Sequence, residues 1–171
     1  WGALPEWNPP TADVTTSTPP DSGYESLGFE AVPWERDGLV ALGREVFFHY
    51  PLRPRPTLLP LAQEPERYGG VVEGDRRAGL VWTLVPRGVA IPSNTCATCH
   101  TARRAGALLI GVGNADLDVS GATAAALGPA FDSGWGPGRV DVTGDGVDNP
   151  VSIPDIRPVK FQTHLHHAGT V

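Results

Sequence analysis

The chain has 171 residues, enough for one domain with its own core and too few for two ordinary ones. Its formal net charge of -6 offers no basic field that would collect phosphates, which argues against nucleic-acid binding and favours basic protein partners. No apolar run approaches the ~20 residues that cross a bilayer, so no membrane span is expected. With 21 glycines and 18 prolines, much of the chain should be loop.

The first segment, residues 1–35, is predicted to be a proline-rich arm. Its prolines stand among Thr, Ser and Asp, a composition that favours extended or polyproline geometry without a core. Because the arm also holds Trp1, Trp7 and Trp34, two interpretations stay open: a leader without contacts, or an arm that packs its tryptophans on a neighbouring surface. Residues 36–171 are expected to form the single folded domain.

Two regular elements are predicted ahead of the cysteines. Apolar residues recur at spacings of three and four over residues 37–50, the pattern of an amphipathic helix, and Pro51 ends it. Two β-rich runs, residues 79–85 and 89–91, flank the Pro86-Arg87-Gly88 turn and indicate a β-hairpin. This hairpin would lead the chain directly into the cysteine motif.

Beyond the cysteines the sequence predicts short helices and ordered loops. Residues 101–107 are expected to form one short helix, and residues 116–127, which contain an alanine run, another. Residues 134–140 hold too many glycines and prolines for regular structure, and such loops commonly wall a cofactor. The predicted fold is mainly α, with long loops and a small β-hairpin.

Both cysteines of the chain lie in one motif, Cys96-Ala97-Thr98-Cys99-His100. C-x-x-C-H is the attachment signature of c-type haem, in which both thiols add across the porphyrin vinyl groups and the adjacent His becomes the proximal ligand of the iron. Three alternatives stay open. A thioredoxin-like redox pair would need a βαβ unit, a zinc site would need two further ligands such as the later histidines, and the thiols could form a structural disulfide.

Covalent haem attachment takes place on the outer side of the cytoplasmic membrane. We therefore expect an exported protein, periplasmic or extracellular, whose signal peptide has been removed ahead of Trp1.

The distal iron ligand, if the protein supplies one, is expected to be histidine, because the chain contains no methionine. Histidine at this position gives a lower potential than methionine. The candidates are His164, His166 and His167 near the end of the sequence, and His49 in the predicted helix. An open or water-bound iron, or a ligand from outside the chain, is the alternative.

A second candidate metal site lies in residues 141–149, where oxygen side chains alternate as in the first half of an EF-hand loop. Asp141, Asp145 and Asp148 would bind calcium there. The twelfth position is Ser152, so the bidentate carboxylate of a complete loop is missing. An Asp/Gly turn without an ion stays open beside the calcium site.

The order of these segments resembles the bacterial di-haem cytochrome c peroxidase and MauG superfamily. Residues 42–48 (LGREVFF) stand where that family has an L-G-x-x-L-F-F-D helix, and residues 93–100 hold the C-x-x-C-H site. Residues 149–157 (NPVSIPDIR) match the place of a T-P-S-L-R-N segment, and residues 166–169 that of a Y-x-H-D-G loop, with His167 on the motif histidine. The resemblance implies a cytochrome c-like haem domain with a calcium close to the haem.

The sequence also departs from that family. His49 stands where the family has Asp, an insertion with the hairpin precedes the haem site, and one haem motif is present where the family has two. The chain therefore resembles one half of a two-haem protein, whose partner would be another haem domain or fragment.

Two functions follow. The first is an electron carrier with one six-coordinate haem, which serves a redox partner protein and has no catalytic residues. The second is half of a peroxidase or MauG-like oxidoreductase, in which one haem keeps a position open for peroxide and a second haem supplies another electron. No hydrolytic triad, nucleotide loop or catalytic carboxylate pair competes with them.

Overall fold

The computed structural model describes residues 35–74, 76–85, 88–143 and 147–161. Residues 1–34, which make up nearly all of the predicted arm, lie outside this part of the chain. Four α-helices are described: α1 Arg36–His49, α2 Leu59–Gln63, α3 Cys96–Cys99 and α4 Val119–Leu127. Short 3-10 turns occupy Pro56–Leu58, Pro65–Tyr68, Pro129–Phe131 and Arg157–Phe161.

Nine short strands form four antiparallel sheets in the described residues. They are β1 Arg53–Pro54, β2 Val72–Glu73, β3 Arg76–Arg77, β4 Leu80–Val85, β5 Val89–Asn94, β6 Thr101–Arg104, β7 Ala107–Ile110, β8 Arg139–Val140 and β9 Val151–Ser152. The largest sheet has three strands in the order β1-β5-β4, and the others are the pairs β2-β3, β6-β7 and β8-β9.

The prediction of a mainly α, cytochrome c-like fold is wrong, because small antiparallel sheets carry much of the structure. The clearest local error is residues 101–107, which were predicted to be helical and belong instead to the β6-β7 hairpin. Ala105 (φ 48°) and Gly106 (φ 80°) form its two-residue turn, and two successive positive φ angles are the geometry of a tight hairpin turn. A helix cannot continue through that turn.

Three predicted elements are confirmed. Helix α1 spans Arg36–His49, and the chain leaves it just before Pro51. Strands β4 and β5 pair from Leu80↔Asn94 to Val85↔Val89, which is the predicted hairpin. Helix α4 begins at Val119, three residues later than expected, because the Asp118 carboxylate accepts a hydrogen bond from Gly121 N at 2.8 Å and caps it there.

The core contains two apolar clusters, and both contact the short helix α3. The first cluster is Phe47, Phe48, Val71, Ala78 and Ala97, with Cys96 packed against it. The second cluster is Leu58, Leu61, Tyr68, Leu80, Leu117 and Ala122, with Cys99 packed against it. The cysteine motif therefore lies at the junction of the two clusters.

No helix in the described part of the chain combines the length and apolar character needed to cross a membrane.

Candidate functional site

Helix α3 carries both cysteines and is held in place by two buried threonines. A helix of four residues has little stability of its own, so its ends depend on side-chain hydrogen bonds. Thr95 Oγ1 accepts a hydrogen bond from Ala97 N (3.2 Å) and donates one to Phe47 O (2.9 Å). Thr98 Oγ1 accepts from Thr95 N (3.2 Å) and donates to Gly79 O (2.6 Å). This capping box joins the motif to α1 and to the chain before β4.

Gly79 lies against the same helix. Its φ is +69°, and a Cβ placed on it would lie 2.3 Å from Thr98 N and 2.6 Å from Thr95 Oγ1. Its carbonyl also accepts a hydrogen bond from Thr95 N at 2.8 Å. A glycine is therefore required here for both the backbone conformation and the close approach of the helix.

Cys96 and Cys99 are free thiols, and each is partly buried. Burial raises the pKa of Cys96, and it raises that of Cys99 to about 11, with the neighbouring Cys96 adding to the effect. Both sulfurs are therefore protonated at neutral pH, whereas a reactive thioredoxin-like pair depends on a lowered thiol pKa. The motif also leads from a hairpin strand into another hairpin, which differs from the βαβ context of that alternative.

His100 follows α3 directly, and its ring is oriented by a backbone carbonyl. Its Nδ1 lies 3.1 Å from Pro154 O. Since a carbonyl oxygen only accepts hydrogen bonds, Nδ1 must carry a proton, and in the neutral ring Nε2 then holds the lone pair. Burial lowers the pKa of His100, opposed in part by the Pro154 hydrogen bond and the Asp155 charge. Burial therefore favours the neutral ring, and in its Nδ1-protonated tautomer an imidazole can bind a metal through Nε2.

A cavity of about 560 Å³ opens beside Cys99, a volume typical of small-molecule and cofactor sites. Its wall includes Thr98 from the motif, Trp135 and Val140 from the predicted ordered loop, and apolar side chains from the second core cluster. The loop lines this cavity, but the prediction that residues 134–140 hold no regular structure is wrong at their end, because Arg139 and Val140 form strand β8. Because Cys96 and His100 are not among the lining residues, a ring bonded to both sulfurs would extend beyond this cavity.

The other predicted metal ligands do not lie beside the cysteine motif in the described residues. His49 is exposed on α1, with its Nε2 4.0 Å from Glu45 Oε2. His164, His166, His167 and Asp145 lie outside the described residues. Within the described part of the chain, no three His, Cys, Asp or Glu side chains converge as a metal site would require, so the zinc alternative gains no support there.

Two aspartates of the predicted calcium loop make hydrogen bonds within the protein. Asp141 Oδ1 accepts from Thr143 N (2.8 Å) and Thr143 Oγ1 (2.7 Å), and these bonds lower the pKa of Asp141. Asp148 Oδ1 accepts from Trp135 Nε1 at 2.6 Å, which ties the loop to the cavity wall. Calcium binding at Asp141, Asp145 and Asp148 stays a prediction.

Several functional positions were missed by sequence reasoning. Thr95 and Thr98 could have been found, because a T-x-x-T pair before a short helix is close to a capping-box pattern. Pro154 and Gly79 carry no such signal, since their roles come from contacts with residues far away in sequence. The same holds for Arg53 and Arg55, which line the cavity.

No family model, curated protein or solved structure matches this chain.

Proposed function

We propose that the chain binds one haem c covalently through Cys96 and Cys99, with His100 as the proximal iron ligand, and transfers single electrons. The observation that carries the proposal is the hydrogen bond from His100 Nδ1 to Pro154 O, which leaves Nε2 free to bind a metal. The C-x-x-C-H motif and the orientation of the imidazole ring both support His100 as the proximal ligand.

The residues of the site fit this cofactor in two further respects. The protonated thiols of Cys96 and Cys99 are the form in which S–H adds across a vinyl double bond, with the sulfur and the hydrogen ending on its two carbons. The cavity beside Cys99 offers a largely apolar surface from the second core cluster, which would shelter part of the ring from water. When bound, the haem would supply an iron that changes oxidation state by one electron.

The protein's contribution to electron transfer is orientation and exclusion of water. The backbone around the motif is held on both sides: Gly111 N donates to His100 O (2.7 Å), and Asn114 N donates to Cys99 O (2.9 Å). An imidazole held in this way changes position little between the two redox states, which keeps the reorganisation around the iron small. Export to the periplasm or beyond belongs to the same proposal, because attachment requires it.

The test is haem retention after unfolding. The chain is produced with an export signal and a c-type maturation system, denatured, and extracted with acidified acetone. We expect one haem to stay with each chain, detected by its pyridine haemochrome spectrum and by intact mass. Cys96→Ala and Cys99→Ala should weaken attachment, and His100→Ala should abolish it.

The matched control is His49→Ala, because this imidazole is exposed on α1 and lies outside the cysteine motif. It should leave the haem content unchanged. Free haem in the extract, or a zinc-containing chain without haem, would overturn the proposal. Rapid turnover of peroxide by the haem-containing chain would replace the carrier with the peroxidase-like alternative.

A further inference from the structure

A buried segment with two glycines, residues 111–114 (GVGN), lies next to the cysteine motif. Gly111 N donates a hydrogen bond to His100 O at 2.7 Å. Asn114 N donates one to Cys99 O at 2.9 Å. Both ends of the segment are therefore tied to the backbone of the motif, and its position relative to the proximal imidazole is fixed.

The same segment also contacts the chain that supplies the carbonyl partner of His100. Gly111 O accepts a hydrogen bond from Ile156 N at 2.8 Å. Two residues before Ile156, the oxygen of Pro154 lies 3.1 Å from His100 Nδ1. The distance between this carbonyl and the imidazole therefore depends on how closely the two stretches of chain can pack.

Gly113 lies directly against the carbonyl groups of the second stretch. A Cβ placed on Gly113 would lie 2.9 Å from Pro154 O and closer still to Ile153 O. Both oxygens belong to the backbone, so the rotation of a side chain could not relieve the clash. The φ angle of Gly113 is outside the left-handed region, so the glycine is required here for space and not for its backbone conformation.

We propose that Gly113 is a positioning residue for the proximal ligand: because it has no side chain, Pro154 O can approach His100 Nδ1 and set how strongly the imidazole donates electrons. This inference rests on the proposed function. A hydrogen bond from the far ring nitrogen to a carbonyl raises the basicity of a metal-binding imidazole. A more basic ring stabilises oxidised iron, so the packing at Gly113 would hold the reduction potential down.

The test compares Gly113→Ala with Gly43→Ala in the haem-containing protein. Gly43 is the matched control, because it is exposed on α1, its φ angle is also outside the left-handed region, and a Cβ on it would meet nothing within 4 Å. The new methyl group of Gly113→Ala should push the Pro154 carbonyl away from the ring, so the reduction potential should rise. Gly43→Ala should keep the potential of the wild type.

Proton exchange measures the hydrogen bond itself. The His100 Nδ1 proton is followed by NMR in the reduced protein. Its exchange with solvent should become about fivefold faster in Gly113→Ala, the factor that corresponds to the loss of one hydrogen bond of ordinary net strength. A potential and an exchange rate equal to those of Gly43→Ala would overturn the inference.

Ile153→Ala loosens the same carbonyl without a clash, and it decides the question if Gly113→Ala does not fold. The Ile153 side chain is partly buried against the second core cluster, and Ile153 N donates to Gly138 O at 2.9 Å. Loss of the side chain removes packing from the segment but keeps this hydrogen bond, so exchange of the His100 proton should again become faster. An unchanged exchange rate in Ile153→Ala would contradict the inference.

Haem content is measured on every variant, so that the two proposals can fail separately. One haem per chain with the same potential and exchange rate in Gly113→Ala and Gly43→Ala contradicts the role of Gly113 alone. A wild type without haem contradicts the proposed function, and the role of Gly113 is then tested through the nitrogen-15 shifts of the His100 ring in the haem-free chain. The Nδ1-protonated tautomer should predominate in the wild type and in Gly43→Ala, and Gly113→Ala should lose it. Retention of that tautomer in Gly113→Ala would overturn the inference.

Discussion

Gly79 is the residue on which the position of the cysteine helix most directly depends. It shares a left-handed backbone with Gly74, which has φ +65° against +69° for Gly79. The two differ in their surroundings, because a Cβ on Gly74 would meet nothing within 4 Å, whereas one on Gly79 would collide with Thr98 N and Thr95 Oγ1. Alanine substitution at Gly74 therefore measures the cost of backbone strain alone, whereas substitution at Gly79 measures backbone strain together with the steric clash.

We expect Gly74→Ala to lower the free energy of unfolding by about 1 kcal/mol, the cost of a left-handed alanine. Gly79→Ala should lower the free energy of unfolding by about 3 kcal/mol or more, because the clash with helix α3 adds to the cost of a left-handed alanine. Urea denaturation of both variants measures the difference. Equal losses would show that the helix moves away from the new methyl group without cost.

Asp155 gives a test of the segment that supplies the carbonyl partner of His100. Its carboxylate accepts hydrogen bonds from the Arg157 side chain, which ion-pairs with it, and from Arg157 N, and these lower the pKa of Asp155 to about 2. The folded-state pKa lies below the unfolded value, so the contribution to stability is present above pH ~4 and is lost as the pH falls through about 2.

An NMR titration of the Asp155 carboxyl should therefore show a pKa of about 2. Arg157→Gln removes the largest cause and should return this pKa toward its usual range. Arg104→Gln is the matched control, because Arg104 acts on Asp155 only through its more distant charge and should raise the pKa less. An equal rise in both variants would mean that the pKa of Asp155 is set by the surrounding positive charge and not by its ion pair with Arg157.

At the scale of elements, the hairpin of β6 and β7 follows the cysteine motif at once. Its turn places an alanine, Ala105, in the left-handed region that glycine or asparagine normally occupies in such turns. A residue better suited to the left-handed conformation at position 105 should therefore stabilise the turn. Ala105→Gly should raise the free energy of unfolding by about 0.5 kcal/mol, since relief of the left-handed alanine exceeds the added flexibility of glycine.

Gly106→Ala is the control for this turn. Gly106 has φ +80° and open space where a Cβ would stand, so its replacement should cost about 1 kcal/mol through the backbone alone. Both values come from chemical denaturation monitored by tryptophan fluorescence. Destabilisation by Ala105→Gly would contradict the turn geometry.

The elements also show what the sequence could predict. Helix α1 was found because apolar residues such as Leu39, Leu42 and Val46 recur at spacings of three and four, and the β4-β5 hairpin because Pro86-Arg87-Gly88 separates two β-rich runs. The β6-β7 hairpin was missed because its two-residue turn, Ala105-Gly106, contains only one glycine and is a weak turn signal. The pairing of His100 with Pro154 spans 54 positions, and no local pattern specifies it.

At the scale of the whole molecule, spectroscopy tests which residue binds the distal side of the proposed haem. His164, His166 and His167 lie outside the described residues, and His49 is turned to solvent beside Glu45. Together with the absence of methionine, this keeps the three later histidines as the proposed source of the distal ligand.

We expect the haem-containing protein to be six-coordinate and low-spin, with little turnover of peroxide. Alanine substitution at each of the three later histidines should produce one variant alone that becomes high-spin and binds carbon monoxide, measured by absorption and EPR spectra. His49→Ala is the control and should stay low-spin. A high-spin wild type would contradict bis-histidine ligation.

The two cysteines contact different halves of the interior, Cys96 the cluster of Phe47 and Phe48, and Cys99 the cluster of Leu61 and Leu117. Each half is small, and only the four residues of α3 carry the chain between the two thiols. A single rigid group bonded to both sulfurs would join the halves covalently. Unfolding of one half would then strain the other, so attachment should make the two regions unfold more cooperatively than they do without it.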